Sequence, residues 1–345
     1  MKVAVVNNTV PFLRGGAEVL ADALVDQLQR AGHEAMLVKL PFSWQPVEHI
    51  ADGMMAASLT MLIGADRVIG LKFPAYLVPH GNKSIWLLHQ FRQFYELWDT
   101  PHRGYDKSKT VESIRTMVHS ADTRCFSTCR HLFTNSAVTA NRLKDFNDIR
   151  AEVLHPPLPD PDAFFDAGTG DFIFAGGRIN GFKRQLLAVQ AMKHVHTDVR
   201  LVVAGLPETD ADLSALLEAR EESGRPDRIH IVPQYISERH KIELVNTALG
   251  IVYCPIDEDS YGYVTLEGAQ ASKPLITTTD SGGITDLVHD GRSGFVCPPD
   301  PRALAEAFDA LHRSPSLVAK LGRGAHDRAL ELGISWSHVL SKLLA

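Results

Sequence analysis

Phe172-Ile-Phe-Ala-Gly-Gly-Arg-Ile-Asn-Gly-Phe-Lys-Arg184 passes from an apolar run through a glycine-rich loop into a segment of helical character. Phe172–Phe174 reads as a buried strand, and the alternation that it opens continues downstream. Val199–Val203, Ile229–Val232, Gly250–Tyr253, Pro274–Thr277 and Gly294–Val296 are strand candidates with helical segments between them. Upstream lies His155-Pro-Pro-Leu-Pro-Asp-Pro161, whose four prolines cannot continue a helix or a central strand, so a domain boundary is expected there. Before it the same alternation runs once already. Lys2–Asn7, Glu34–Val38, Arg67–Ile69, Ile85–Leu88, Leu132–Thr134 and Glu152–Leu154 read as strands. Ala17, Leu20, Leu24 and Leu28 recur at helical spacing, and the helix stops at Gly32. Strand–helix–strand alternation implies parallel pairing through helical crossovers. The expected fold is α/β: two doubly wound domains, 1–158 and 159–330, with a terminal helix in 331–345. A cleft between them is the natural ligand site, because such sheets bind ligands beyond the carboxyl ends of their strands.

The chain has 345 residues, about two domains' worth. It is 45% hydrophobic and 22% charged, which excludes a disordered or fibrous protein. A net charge of −6 argues against a dedicated nucleic-acid binder. The longest nearly apolar run, Met54–Ile63, is too short to span a bilayer. MKVAVVNN enters a strand at once without signal-peptide anatomy, and four cysteines do not make a disulfide framework. A cytoplasmic location is therefore expected.

Several motifs are missing. No G-x-G-x-x-G follows the first strand, and neither a G-x-x-x-x-G-K-[ST] loop nor a G-x-S-x-G elbow occurs. Cys125, Cys129 and His131 have no second ligand pair, so two small thiols are the better reading, and no metal site is expected.

Four stretches carry chemistry. Arg14-Gly15-Gly16-Ala17-Glu18 joins a strand to a helix; a plain tight turn and an anion-binding loop are served equally well. Arg178 and Lys183 flank the glycine loop of the second half, where a diphosphate would need positive charge. Asp259-Ser-Tyr-Gly-Tyr-Val-Thr-Leu-Glu267 reads as an acidic loop entering a helix, with the amides of Gly262, Tyr263 and Val264 facing an anion. Asp259 and Glu267 could accept from hydroxyls at two ends of one polyol. The fourth, Gly282-Gly283-Ile-Thr-Asp286, reads as a glycine pair opening a helix.

In order and spacing these residues resemble the large retaining glycosyltransferase family numbered four (glycosyl transferases group 1), which has the GT-B fold. The family's Gly-Arg…Lys loop is seen as Gly177-Arg178 and Lys183. Its Glu-x7-Glu phrase is seen as DSYGYVTLEGAQASKPLI, Asp259–Ile276, with Asp in place of the first Glu. Its GGIPEIV phrase is seen as GGITDLV from Gly282, and its N-terminal glycine loop as Gly15-Gly16. Trp336 resembles an aromatic in a terminal helix that crosses back to the first domain. The resemblance implies retaining transfer of a sugar from a nucleotide-diphosphate sugar to a glycan, lipid-linked or small-molecule acceptor, with no cofactor and no metal. It puts the diphosphate on Arg178, Lys183 and the amides of Gly262 to Val264, the ribose on Glu267 and the transferred sugar on Asp259. The nucleobase would lie near Tyr235. In the first domain His89, just past a strand, would orient a sugar hydroxyl, with Gln90 and Arg92 as acceptor candidates; a structural role for His89 is the alternative. Many relatives use lipid-linked acceptors at the inner membrane face. From Phe91 to Arg150, however, ten basic residues stand against seven acidic, too small an excess to argue for docking there. The competing readings are a non-catalytic sugar-nucleotide-binding or scaffold subunit and a GT-B epimerase. Oligomeric state is not readable.

Overall fold

The computed structural model describes residues 1–12 and 15–345, and Arg14 of the first glycine loop lies outside the described residues. The chain divides into two compact units: Met1–Pro159 together with Ile334–Ala345, and Asp160–Gly333.

The first unit contains β1 (Lys2–Thr9), α1 (Gly16–Arg30), β2 (Glu34–Pro41), α2 (Glu48–Leu59), β3 (Arg67–Gly70), β4 (Lys83–Leu87), α3 (Lys109–Thr128), β5 (His131–Thr134), α4 (Ala137–Asn147) and β6 (Glu152–Val153). Its six strands pair in the order β2-β1-β3-β4-β5-β6, every pair parallel. β2 runs three residues beyond the expected Val38, because β1 offers eight residues and Thr9 still pairs with Pro41. At the end of α1 the His33 N–H bonds the Leu28 carbonyl and the Gly32 N–H bonds that of Gln29, with Gly32 at φ 84°. That double closure is what glycine at this position permits.

The second unit contains β7 (Phe172–Gly176), α5 (Gln185–Ala191), β8 (Arg200–Ala204), α6 (Asp210–Glu222), β9 (Ile229–Val232), α7 (Glu238–Thr247), β10 (Gly250–Val252), α8 (Tyr263–Gln270), β11 (Leu275–Thr278), β12 (Gly294–Cys297), α9 (Pro301–Arg313) and α10 (Pro315–Glu331). Its sheet is also all parallel, in the order β12-β11-β10-β7-β8-β9. Strand order therefore reverses between β7 and β10. Loops leaving those two carboxyl ends diverge to opposite faces, which opens a crevice at the sheet's edge.

The terminal helix α11 (Trp336–Leu343) belongs to the first unit. Trp336, Val339 and Leu343 join the core formed by Val3, Val5, Leu24 and Trp86. Burying each such side chain contributes about 1.5–3 kcal/mol. The Trp336 indole N–H donates to the Leu158 carbonyl at 2.7 Å, and Arg67 donates to the carbonyls of Leu343 and Ala345, capping the helix end. All four cysteines are free thiols. Among the described residues no helix is long and apolar enough to cross a membrane.

Candidate active site

The site is built on the switch between β7 and β10. After β7 the chain turns through Gly177 at φ 126° and is laced to the loop after β8. The Gly177 N–H bonds the Ala204 carbonyl, the Ile179 N–H bonds that of Leu206, and the Glu208 N–H bonds that of Ile179. Gly205 permits the approach, since a Cβ there would lie 1.8 Å from the Gly177 oxygen. Arg178 is exposed on this loop. The Asn180 side chain accepts the Lys183 N–H at 2.9 Å and so fixes the start of the helical turn. Arg184 takes φ 51° at the start of α5. It donates to the carbonyls of Cys254 and Pro255, to Thr278 Oγ1 and to both oxygens of Asp280, tying β7 to the ends of β10 and β11.

The loop after β10 supplies the opposite wall. Gly262 starts α8 at φ 69°, and a Cβ there would sit 2.5 Å from the Tyr253 ring. Val264, in the first turn, lies beside Gly176 at the end of β7. The α8 amides and their dipole thus begin next to the β7 loop, an arrangement suited to an anion. Asp259 is buried on the loop, and Glu267 is buried one turn into the helix. The Gly282-Gly283 pair opens a helix, and that helix is short. Its one turn of 3-10 helix, Gly283–Asp286, presses against the acidic loop, where a Cβ on Gly282 would meet the Glu258 oxygen at 2.4 Å.

Lys183 forms an ion pair with Glu258, and its ammonium also donates to the Tyr253 hydroxyl. Tyr253 in turn donates to Glu258 Oε2 at 3.3 Å. Burial, and then the neighbouring Glu258 carboxylate, hold this phenol well above its ordinary pKa, so it stays a donor. Glu267 is 3% exposed, and its Oε1 accepts from Lys241 of α7 at 2.6 Å. Its pKa is raised all the same, because desolvation outweighs the pairing with Lys241. Glu267 Oε2, the Tyr263 hydroxyl and Thr265 Oγ1 have no hydrogen-bond partner among the described residues. A buried carboxylate oxygen in that condition suits a ligand hydroxyl. Tyr235, 82% exposed, stands on the loop after β9.

In the first unit Gly15 caps α1, and its N–H donates to the Glu18 carboxylate at 2.8 Å; Gly16 is the first helical residue. His89 lies two residues beyond β4, with Nδ1 2.6 Å from the Gln90 carbonyl, which makes Nδ1 the protonated nitrogen. The buried Gln90 side chain donates to Asn147, and Asn147 donates to Thr123. Arg92 pairs with Glu96, which also takes Arg142 at 3.3 Å. Both acceptor candidates are thus engaged within their own unit. Tyr253, Glu258 and Lys241 are site residues that the sequence reading missed. Among the described residues no three His, Cys, Asp or Glu side chains gather as a metal site would require.

The family model for glycosyl transferases group 1 matches residues 162–328, which hold every element of the second unit's site. This stretch is thus similar to the glycosyl transferases group 1 family. It is 29% identical over 259 residues to alpha-maltose-1-phosphate synthase of Mycolicibacterium smegmatis, covering 70% of this chain and 66% of that protein. It is 30% identical over 138 residues to the alpha-1,3/1,6-mannosyltransferase ALG2 of Mus musculus, covering 39% of this chain and 32% of that one. The chain therefore spans less than two thirds of the length of these relatives. A crystal structure of Anabaena Alr3699/HepE in complex with UDP and glucose superimposes with a TM-score of 0.74 at 13% identity, covering 100% of this chain and 98% of that one. The two parallel sheets, together with that likeness, show a two-domain, Rossmann-like GT-B fold.

Proposed function

We propose that the chain is a retaining glycosyltransferase that moves a sugar from a nucleotide-diphosphate sugar to an acceptor hydroxyl without a metal. The observation that carries this reading is the meeting of Lys183, the α8 start and the buried Glu267 at one strand switch point. Relatives named as a maltose-1-phosphate synthase and a mannosyltransferase, and a GT-B neighbour holding UDP and glucose, support it.

Breaking the anomeric C–O bond to the diphosphate develops positive charge on the sugar and negative charge on the leaving oxygen. Arg178, Lys183 and the amides of Gly262 to Val264 take up that negative charge, and fixed groups do so without reorganising. The acceptor oxygen bonds the anomeric carbon as the donor bond breaks, and its proton passes to the departing phosphate oxygen on the same face. Glu267 accepts from the ribose hydroxyls, Asp259 holds hydroxyls of the transferred sugar, and Tyr235 offers a flat face to the base. The first unit carries the acceptor, and His89 is its group for orienting a sugar hydroxyl.

Thermal-shift screening with UDP-, GDP-, ADP- and TDP-sugars should pick out one donor class, because a ligand of the native state raises its stability. With that donor, wild type should release nucleoside diphosphate, while Lys183→Met and Glu267→Gln should release at least a hundredfold less at unchanged melting temperature. Undiminished turnover in both variants would overturn the assignment.

A further inference from the structure

We propose that Glu258 is a tethered competitor for the anion that Lys183 binds, so that every nucleoside diphosphate entering the site must first displace it. The inference rests on the reading of Lys183 as a diphosphate ligand, and it assigns to that site an internal counter-ion. Three features carry it.

First, the Lys183 ammonium is already occupied. It is paired with the Glu258 carboxylate and bonded to the Tyr253 hydroxyl, and Tyr253 closes the triangle by donating to Glu258 Oε2 at 3.3 Å. Second, the other acids nearby are not substitutes. Asp280 is engaged by Arg184, and Asp259 is buried on the far side of Glu258 in sequence. Third, only the Glu258 side chain can yield. Its N–H donates to the Ser281 carbonyl at 3.2 Å, its carbonyl accepts the Gly283 N–H at 2.8 Å, and Gly282 lies so close that a Cβ would overlap its backbone. The backbone is pinned while the carboxylate, about a quarter exposed, keeps a route to water.

A carboxylate held on a fixed backbone competes at high effective concentration. A diphosphate displaces it by bringing more than one negative charge to Lys183 and to the α8 amides together. The cost of displacement is subtracted from the affinity of donor and product alike. Product release is eased by that same cost, since Glu258 returns to Lys183 as the nucleoside diphosphate departs. Glu258 is thus a positioning residue that acts through Lys183 and shortens the stay of the product.

The test is calorimetric titration of UDP, GDP and ADP, without added metal, into wild type, Glu258→Gln, Glu258→Asp, Lys183→Met and the double variant Lys183→Met/Glu258→Gln. Glu258→Gln should bind the preferred diphosphate about fivefold more tightly, the scale of one partly exposed ion pair. Glu258→Asp, whose carboxylate is retracted by a methylene, should move the same way by less. In the Lys183→Met background the Glu258→Gln change should have no effect, since the competition has lost its object. Unchanged or weaker binding by Glu258→Gln, with wild type binding and Lys183→Met losing affinity, would overturn this inference and leave the donor site standing. Failure of wild type and Glu258→Gln to bind any of the three diphosphates would remove the donor site as well.

Discussion

Lys241 Nζ lies 2.6 Å from Glu267 Oε1 and 2.8 Å from Glu238 Oε1, so one lysine of α7 holds the buried carboxylate of α8 and an exposed one at once. The ordinary expectation for an ion pair is a lysine shifted up and a carboxylate shifted down. Lys241 is raised, chiefly by Glu267 against the pull of desolvation, but Glu267 is raised as well, because burial dominates. Lys241 is what keeps Glu267 within reach of ionisation.

Lys241→Met should therefore leave a buried carboxylate unpaired. Glu267 then protonates at higher pH, and the acid limb of the pH–activity profile moves to the alkaline side, with a rise in donor KM. Stability should fall by about 1–3 kcal/mol, less than the 3–5 of a fully buried pair because Lys241 keeps some exposure. Adding Glu267→Gln should restore most of that stability without restoring turnover. An acid limb that stays in place would detach Lys241 from the site.

Gly262→Ala tests the helix start. The residue sits at φ 69°, and the new Cβ would lie 2.5 Å from Tyr253 Cε1. Neither strain relaxes without moving the first α8 amides. Nucleoside diphosphate affinity should fall at least tenfold, with a stability loss of about 1–3 kcal/mol. Titration with the preferred diphosphate checks it; unaltered affinity would mean that the α8 amides do not hold the ligand.

Much of this architecture was legible because it is local. Most strands are apolar runs, and Asp259, Gly262 and Glu267 fall within one stretch between β10 and β11. What escaped lies far apart in sequence. Lys183 and Glu258 are 75 residues apart and Lys241 and Glu267 are 26 apart, and no pattern of spacing announces such a pairing. Gln90 and Arg92 were read as acceptor candidates from their place past a strand end, and that place did not announce the side-chain partners Asn147 and Glu96. Gly282-Gly283 does start a short helix, but the close approach of the acidic loop's backbone that the pair also admits has no local signature. α10 was not named from the sequence, and its two glycines are poor helix formers.

Asp122 predicts a pH dependence of stability. It is fully buried on α3 and accepts from the Tyr76 and Tyr95 hydroxyls at 2.9 and 2.7 Å. Desolvation raises its folded pKa to about 7, against roughly 3.9 in an unfolded chain. Between those values the folded state binds the extra proton, so stability is greatest at the acid end and declines as pH rises towards 7. The largest slope that one such group can give is about 1.4 kcal/mol per pH unit. Asp122→Asn should flatten this part of a denaturation series run from pH 4.5 to 7.5. An equally steep decline in the variant would assign it to other groups.

The glycines of α10 reverse an ordinary rule. Gly→Ala inside an exposed helix stabilises by roughly 1 kcal/mol. A Cβ on Gly322, however, would lie 1.9 Å from the Ser272 oxygen, and one on Gly324 would lie 1.9 Å from the Arg292 oxygen. Both obstacles are backbone, so no side chain can swing aside. They belong to the turns leading into β11 and β12, which α10 approaches closely only because these two positions lack side chains. Gly322→Ala and Gly324→Ala should each destabilise by about 1–3 kcal/mol in chemical denaturation. The first should also weaken diphosphate binding, because Ser272 closes the turn after α8 with its N–H on the Ala269 carbonyl, and a displaced turn shifts that helix. A stabilised Gly322→Ala variant would show that α10 rides further from the sheet than this packing requires.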